Sequence, residues 1–441
     1  MKHICTVLFL VGTLSSFAQK KWTLKECVDH ALEHNISVKQ SQNNSLVNAQ
    51  DIIAAKGQFL PSFSGSLGER LNIGSGFDRV SNQRIFSQTI RHSFNYNVNV
   101  NQNVFNGFRT LNLYKQSLLN QEINNLELAR IKDNISLNVV NAYLNVLFNI
   151  ENLEIAKNQF DFSQQQLNQV RNLVNAGVQP KANLYTSEAT LSRDEQQVTI
   201  AENNYNLSLL SLSQLLQVPF NGFEVDVIDL DSPSEVLLYR DVTPIINYAF
   251  ENRNEIGIAE KNIENAELST EISKSGYLPS VSFNYGFGSV WSESANDFLK
   301  QDYFSELDLN KGHNFNVNVN IPIFSRFQNK TAVAKSRIQQ ENSQLNLEQA
   351  KLDLESNIQR AFTDAQAAFK AYNAAKKSLA SQEFAFNSSN ERYTLGNITA
   401  FDLEQARVQF INAQSSLINA KFDFIFKTKV LDFYMGKPLT P

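Results

Sequence analysis

Cysteine is nearly missing from this chain: there are two, Cys5 and Cys27. Cys5 lies in an N-terminal segment that reads as a secretory signal, with Lys2, an apolar run from Ile4 to Phe17, and a small-residue end at Ser16-Phe17-Ala18 before Gln19. Residues 1–18 are therefore assigned to a signal peptide. Cys5 does not stand at the cleavage point, where a lipid-anchoring cysteine would. The single remaining thiol excludes an intrachain disulfide and leaves no ligand set for a thiol redox or cysteine–zinc centre. Glycine and proline are scarce, 16 and 9 in 441 residues. With Asn, Gln, Leu and Ala abundant, that scarcity points to long uninterrupted helices. No run of 18 apolar residues follows the signal, so a mature chain that enters a membrane must do so as a closed β-barrel. Charge of one sign is nowhere gathered into a block. Without Lys2, 39 − 1 = 38 basic residues face 44 acidic ones along the whole length, which excludes a nucleic-acid footprint. A glycine-rich phosphate loop, a nucleophile elbow and a cysteine cluster are all absent, so neither a cofactor nor catalysis is expected.

What the chain has is a second copy of itself. Leu60-Pro61-Ser62 returns as Leu278-Pro279-Ser280, an offset of 218. Val98-Asn99-Val100-Asn101 returns as Val317-Asn318-Val319-Asn320, an offset of 219 that also relates Phe105 and Phe108 to Phe324 and Phe327, Gly177 to Gly396, Leu184 to Leu403 and Pro219 to Pro438. Such a period is too long for a solenoid and indicates a duplicated subdomain, residues 19–240 and 241–441. Each half reads helix, strand, strand, very long helix, tight turn, long helix. In the first, Thr23-Leu24-Lys25-Glu26 forms a capping box with Trp22 and Cys27 as its staple, and the helix runs to about Gly57. In the second, Thr243-Pro244 supplies an N-cap and a first-turn proline for a helix ending near Gly276.

The strands carry the most informative pattern. Phe94, Tyr96, Val98 and Val100 alternate with Asn95, Asn97, Asn99 and Asn101; Phe315, Val317, Val319 and Ile321 alternate with Asn314, Asn316, Asn318 and Asn320. One apolar and one amide face suits a transmembrane strand with lipid on one side and water on the other, and a half-buried strand of a soluble sheet is the other reading. Strands are expected at about 62–73, 91–104, 280–291 and 312–324, joined by long polar connections at about Gly74–Ile90 and Ser292–Lys311. Four strands cannot close a barrel. A membrane role therefore requires assembly, to eight strands as a dimer or twelve as a trimer.

In the long helix, Leu128, Ile131, Ile135, Val139, Ala142, Val146, Ile150 and Leu153 are spaced 3, 4, 4, 3, 4, 4 and 3. An eleven-residue repeat predicts helices packed nearly straight or slightly right-handed. Val140, Tyr143, Leu144 and Leu147 widen the stripe, as a helix with neighbours on two sides requires. A globular bundle would share that stripe, but not a helix of roughly 60 residues, about 90 Å at 1.5 Å per residue.

These features resemble the TolC family of outer-membrane efflux and secretion channels over essentially the whole mature chain. The resemblance rests on Trp22-Thr23-Leu24-x-Glu26 with Ala31-Leu32-x-x-Asn35, on the Leu-Pro-Ser boundaries, and on two turns. The stronger turn reads Arg392-Tyr393-Thr394-Leu395-Gly396-Asn397-Ile398-Thr399-Ala400-Phe401-Asp402-Leu403; the weaker is Ala176-Gly177-Val178-Gln179-Pro180 leading to Leu184. The resemblance implies a homotrimer with a twelve-stranded barrel in outer-membrane lipid, continuous with a periplasmic α-helical barrel. It also implies a tip opened by a periplasmic adaptor and an inner-membrane pump. In the family the tip carries aspartates three residues apart. Here the first matches Asp402, the second falls on Gln405, and the first-half equivalent is Asn183, an acidic constriction thinner than the family's.

Asp402 and Tyr393 are accordingly expected in a gate, with Asp402 as a first-turn helix stabiliser the alternative. Gly177 and Gly396 reverse the chain at positive φ, and Pro180 starts the return helix. Lys181 and Arg171 are expected to meet the adaptor. A passive exit duct for small molecules or proteins is the function so implied; a non-membrane helical scaffold or adaptor is the rival. One enzymatic motif stands against both. His30-Ala31-Leu32-Glu33-His34 fits H-x-x-E-H, a zinc-protease pattern, yet the repeat puts Tyr248 and Asn252 in place of the histidines and keeps Ala and Glu, as a structural helix would.

Overall fold

The computed structural model describes residues 21–78, 83–227, 239–294 and 302–439. The signal assigned to 1–18 and the middles of both hairpin connections, 79–82 and 295–301, lie outside them. Two compact units divide the chain: one holds the residues up to Gln42, Glu127–Ile256 and those from Ala350 on, the other Asn43–Leu126 and Gly257–Gln349. Each unit therefore draws on both halves of the duplication, because helices from each copy pack with one another.

The first unit begins with β1 (Lys21–Trp22) and α1 (Leu24–His34). The capping box at Thr23 is present, Glu26 N–H donating to Thr23 Oγ1 at 3.2 Å and Thr23 N–H to Glu26 Oε2 at 3.0 Å. The expected single helix to Gly57 is two, α1 and α2 (Ile36–Gly57), because Asn35 adopts an extended backbone, ψ 133. Its side-chain oxygen accepts Ser37 N–H at 2.9 Å and so caps α2 from within the break. The second copy breaks at the equivalent residue: α5 (Thr243–Asn252) and α6 (Asn254–Lys274) meet at extended Arg253, and a 3₁₀ turn, Ser275–Tyr277, follows. Thr243 is not the cap. Asp241 accepts both its N–H, 3.1 Å, and its hydroxyl, 3.0 Å.

Two helices of 67 residues, α3 (Arg109–Asn175) and α8 (Gln328–Thr394), and two return helices, α4 (Lys181–Leu216) and α9 (Ala400–Tyr434), make up nearly half of the chain. The apolar stripe of α3 sorts by depth. Val139, Val140, Tyr143, Leu144, Val146 and Leu147 are buried in one cluster with Leu24, Cys27, Val28 and Ala31 of α1, Leu209, Leu212 and Leu216 of α4, and Ile418 and Phe422 of α9. Leu128, Ile131, Ile135, Ala142, Ile150 and Leu153 are only partly covered. Full burial of each valine and leucine of that cluster contributes about 1.5–3 kcal/mol. Tyr143 donates its hydroxyl to the carbonyls of Asp226 (2.6 Å) and Trp22 (3.3 Å). It thereby ties α3 to β1 and β4 (Glu224–Val225), a short parallel pair that the sequence pattern did not reveal.

The second unit is a four-stranded antiparallel sheet in the order β2-β3-β5-β6 with helical segments. β2 (Ser62–Asp78) and β3 (Gln83–Asn106) pair as far as Asp78↔Gln83, through an irregularity between Gly74 and Gly76. The first connection is thus mostly strand, not a loop over Gly74–Ile90. β5 (Ser280–Ser294) outruns β6 (Gly312–Asn320), and the second connection contains α7 (Tyr303–Leu309). β6 ends before residue 324 because Pro322 has no N–H to continue the ladder. In the helices, amides take the place of apolar contacts: Gln116 reaches Asn265 Oδ1 and Ser269 Oγ, and Asn265 reaches Asn120 Oδ1.

Candidate functional site

Register turns the sequence alternation into two chemically distinct faces. Phe63, Val100, Tyr285 and Phe315 stand side by side across the four strands; one residue along, so do Ser62, Asn101, Asn284 and Asn316. The next amide row is Ser64, Asn99, Gly286 and Asn314, and the next apolar row Gly65, Val98, Phe287 and His313. A one-residue slip of any strand would exchange the faces, so the pattern holds the register. At the strand feet the chain enters α3 and α8 through duplicated left-handed residues, Gly107-Phe108 (φ 65 and 65) and Arg326-Phe327 (φ 50 and 63). The non-glycine members are outliers. They set Phe105 edge-on to Phe108, 5.3 Å, and Phe324 edge-on to Phe327, 5.8 Å. Phe108, Phe324 and Phe327 are exposed, as aromatics at a membrane–water boundary are. Among the described residues both outer strands, β2 and β6, have one unpaired edge, and every residue of β6 is exposed. Among the described residues no helix is apolar enough to cross a membrane.

The turns between the paired long helices belong to the first unit. Gly177 and Gly396 sit at φ 76 and 74 with open space around each, so backbone conformation alone requires glycine there. Val178 N–H returns to Leu173 O at 2.9 Å and Asn397 N–H to Arg392 O at 2.8 Å, the same closing bond in both copies. Asp402 completes a second capping box. Its carboxylate accepts the Thr399 hydroxyl at 2.7 Å and the Thr399 N–H at 3.0 Å, while its own N–H donates to Thr399 Oγ1 at 3.2 Å. Those bonds, the hydroxyl's first, hold the Asp402 carboxyl below the ordinary aspartate value. The helix-stabilising reading of Asp402 is therefore realised in the structure. Gln405 is exposed one turn on, and Tyr393 is half-buried, its hydroxyl without a partner among the described residues. Asn183 bonds within its own turn, to Gln179 Oε1 at 3.3 Å; Lys181 is exposed at the head of α4, and Arg171 faces Glu188 across the turn at 3.9 Å. One chain thus gathers these groups into two turns and joins none of them into a network.

The network that exists is one the sequence did not disclose. Arg407 of α9, 3% exposed, donates to Asp194 of α4 at 2.8 Å and grips Glu404 through Nε and Nη2 at 2.8 and 3.0 Å. Glu404 in turn meets Arg193. Burial alone would lower the Arg407 pKa, but the bonds to Glu404 and Asp194 outweigh it and raise it. Burial likewise opposes the ionised Glu404, and its arginine partners nonetheless pull its pKa down. A second buried cation, Arg253 in the α5–α6 break, lies 4.1 Å above the Phe433 ring and pairs with Asp133 (3.3 Å) and Glu255 (3.2 Å).

The H-x-x-E-H motif resolves into helix termination. The His30 and His34 rings stack with centroids 4.1 Å apart, His34 Nδ1 lies 3.2 Å from the His30 carbonyl, and Glu33 points to solvent. In the second copy Asn252 Nδ2 donates to the Tyr248 carbonyl at 2.9 Å, the same contact made without a histidine. Both pairs close a helix just before its break.

The architecture defines a class: a duplicated chain with a four-stranded, two-faced antiparallel sheet and paired antiparallel long helices. The family model described as outer membrane efflux protein matches residues 27–217 and 245–436, one match per repeat. The chain belongs to this family, and its place is the outer membrane. It is 22% identical over 320 residues to outer membrane protein TolC of Salmonella enteritidis, covering 68% of this chain and 60% of that protein. Its identity to TolC of Vibrio cholerae serotype O1 is 20% over 308 residues, 70% and 69% of the two chains. The solved Campylobacter jejuni CmeC outer membrane channel has a similar fold, with a TM-score of 0.78 at 18% identity, covering 94% of this chain and 85% of that one.

Proposed function

We propose that the chain is one protomer of a homotrimer whose twelve strands close a barrel in outer-membrane lipid and whose long helices line a passive periplasmic exit duct. An inner-membrane pump and a periplasmic adaptor hand the cargo to it. The observation that carries this reading is the register: four strands with one apolar face, one amide face and two open edges, which hydrocarbon tolerates only as part of a closed barrel. A non-membrane scaffold would leave Phe63, Leu67, Phe315 and Val317 in water. Partition into the outer-membrane fraction, a heat-modifiable band of three chains and stepwise conductance in planar bilayers are expected. A monomer soluble without detergent defeats the proposal.

Asp402 and Tyr393 form part of the gate in this reading, with Gln405 and Asn183 lining the same constriction as neutral amides. Three Asp402 side chains facing one axis repel one another, and that repulsion falls as the tube widens. A buried tyrosine hydroxyl without an acceptor is the kind of donor that a second copy satisfies. Lys181 and Arg171 flank the first turn as adaptor contacts, Lys181 the more available since Arg171 faces Glu188.

A further inference from the structure

The second hairpin carries a helix on the wrong side of the sheet for a loop that merely crosses water. Tyr96 pairs with Ser289 and Phe94 with Trp291, and all four share the face of Val98, Val100, Phe287 and Phe315. α7 packs on that apolar face. Tyr303 lies 4.9 Å from the Trp291 ring and 5.8 Å from Phe94, and Ser289 donates its hydroxyl to the Leu307 carbonyl at 2.6 Å. Asn310 closes the edge that β6 leaves open above Gly288↔Gly312, donating to the Val290 carbonyl at 2.8 Å. Seven residues are too few to hold a helix alone, so α7 exists because it is docked.

Its level on the sheet is set by the strands. From Phe105 at the foot of β3 to Phe94 beneath Tyr303 is eleven residues, roughly 36 Å of strand and roughly 28 Å of height at a tilt of about 40°, close to the apolar band of an outer-membrane barrel. Trp291, Phe94 and Tyr303 thus fall at the upper rim of that band, with α7 beside them. The helix then turns Phe304 (77% exposed) and Leu309 (71%) away from the sheet, next to an exposed Asp308–Lys311 ion pair at 2.5 Å. Phe304 and Leu309, about 140° apart around the helix at about 100° per residue, are large apolar side chains turned outward at a rim where Lys311 can keep its charge in water while its stem lies along apolar surface.

We propose that α7 is an interfacial anchor in the outer leaflet, with Phe304 and Leu309 among lipid acyl chains and Asp308–Lys311 at the headgroup level. The proposal rests on the barrel reading above, and its test separates the two. In a Cys27→Ala background, which removes the one mature thiol, spin labels are placed on the full chain at Phe304→Cys and Leu309→Cys. Reference labels go at Val317→Cys on the apolar face and Lys181→Cys at the helical turn. Trimers in phosphatidylcholine vesicles are then probed with oxygen and a water-soluble nickel chelate. Expected at 304 and 309 is an oxygen-to-chelate collision ratio about ten-fold above that at 181, because a charged chelate is excluded from hydrocarbon. Ratios at 304 and 309 equal to that at 181, with 317 lipid-like, overturn the anchor and leave the barrel standing. A water-like ratio at 317 as well overturns both.

Discussion

Asn in place of Asp402 keeps an acceptor for the Thr399 amide and removes the charge. Ala in place of Thr399 does the reverse, deleting the cap hydroxyl and leaving the carboxylate. The two roles of this position can therefore be measured apart. Asp402→Asn is expected to change single-channel conductance and its block by cations while the helix start persists; unchanged conductance and block remove Asp402 from the gate. Thr399→Ala is expected to lower thermal stability by about 1 kcal/mol with cation block retained. Gly177→Ala and Gly396→Ala, with space for a methyl but φ above 70, should each cost about 1–2 kcal/mol from backbone strain alone. Melting curves check all three stability changes. Acid acts through Glu404. Its folded-state pKa is depressed below the ordinary 4.5, so its stabilisation is complete above about pH 4.5 and fades as pH falls through the lower folded value. A pH series of melting temperatures for wild type and Glu404→Gln should converge at low pH.

At the scale of elements, the contact between α4 and α9 depends on an unusual choice, an ion pair between two buried side chains. Arg407→Ala leaves buried Asp194 with only the more distant Arg193, 3.9 Å away, and is expected to cost about 3 kcal/mol, whereas Asp194→Leu with Arg407→Met should recover most of that loss. Equal losses in the single and double variants, read by denaturation in detergent, would mean that the cost lies in losing the pair itself and not in stranding an unpaired charge. What could be read beforehand follows from distance along the chain. The cap at Thr23, the reversals at Gly177 and Gly396 and the Asn alternation are local, each signalled within a few residues. Asp194 and Arg407 are 213 residues apart, and the repeat puts Glu188 where Arg407 stands, so duplication offers no hint. The breaks at Asn35 and Arg253 hid for another reason: neither is glycine or proline, and beside its local bond each takes a partner far away in sequence, the Leu215 carbonyl for Asn35 and Asp133 for Arg253. Polar residues beyond the apolar band also looked like loop between Gly74 and Ile90, although a strand outside the hydrocarbon needs no apolar face.

For the whole molecule, the duplication and the compact units cut the chain differently. Family matches over 27–217 and 245–436 follow the ancestral copies, while contacts gather pieces of both copies into each unit. A truncated single repeat, 19–240, would carry only β2 and β3 of the sheet and half of each helical packing. It is expected not to fold, read as loss of heat-modifiable mobility and rapid proteolysis. The two open strand edges reach further than architecture. A lone protomer in hydrocarbon would expose unpaired backbone groups along both β2 and β6, so no inserted monomer can accumulate on the way to the barrel. Insertion and assembly then become a single kinetic event. For the proposed trimer, the rate at which this protein enters a bilayer should rise more steeply than in proportion to its concentration, and a dilute chain should wait outside the membrane.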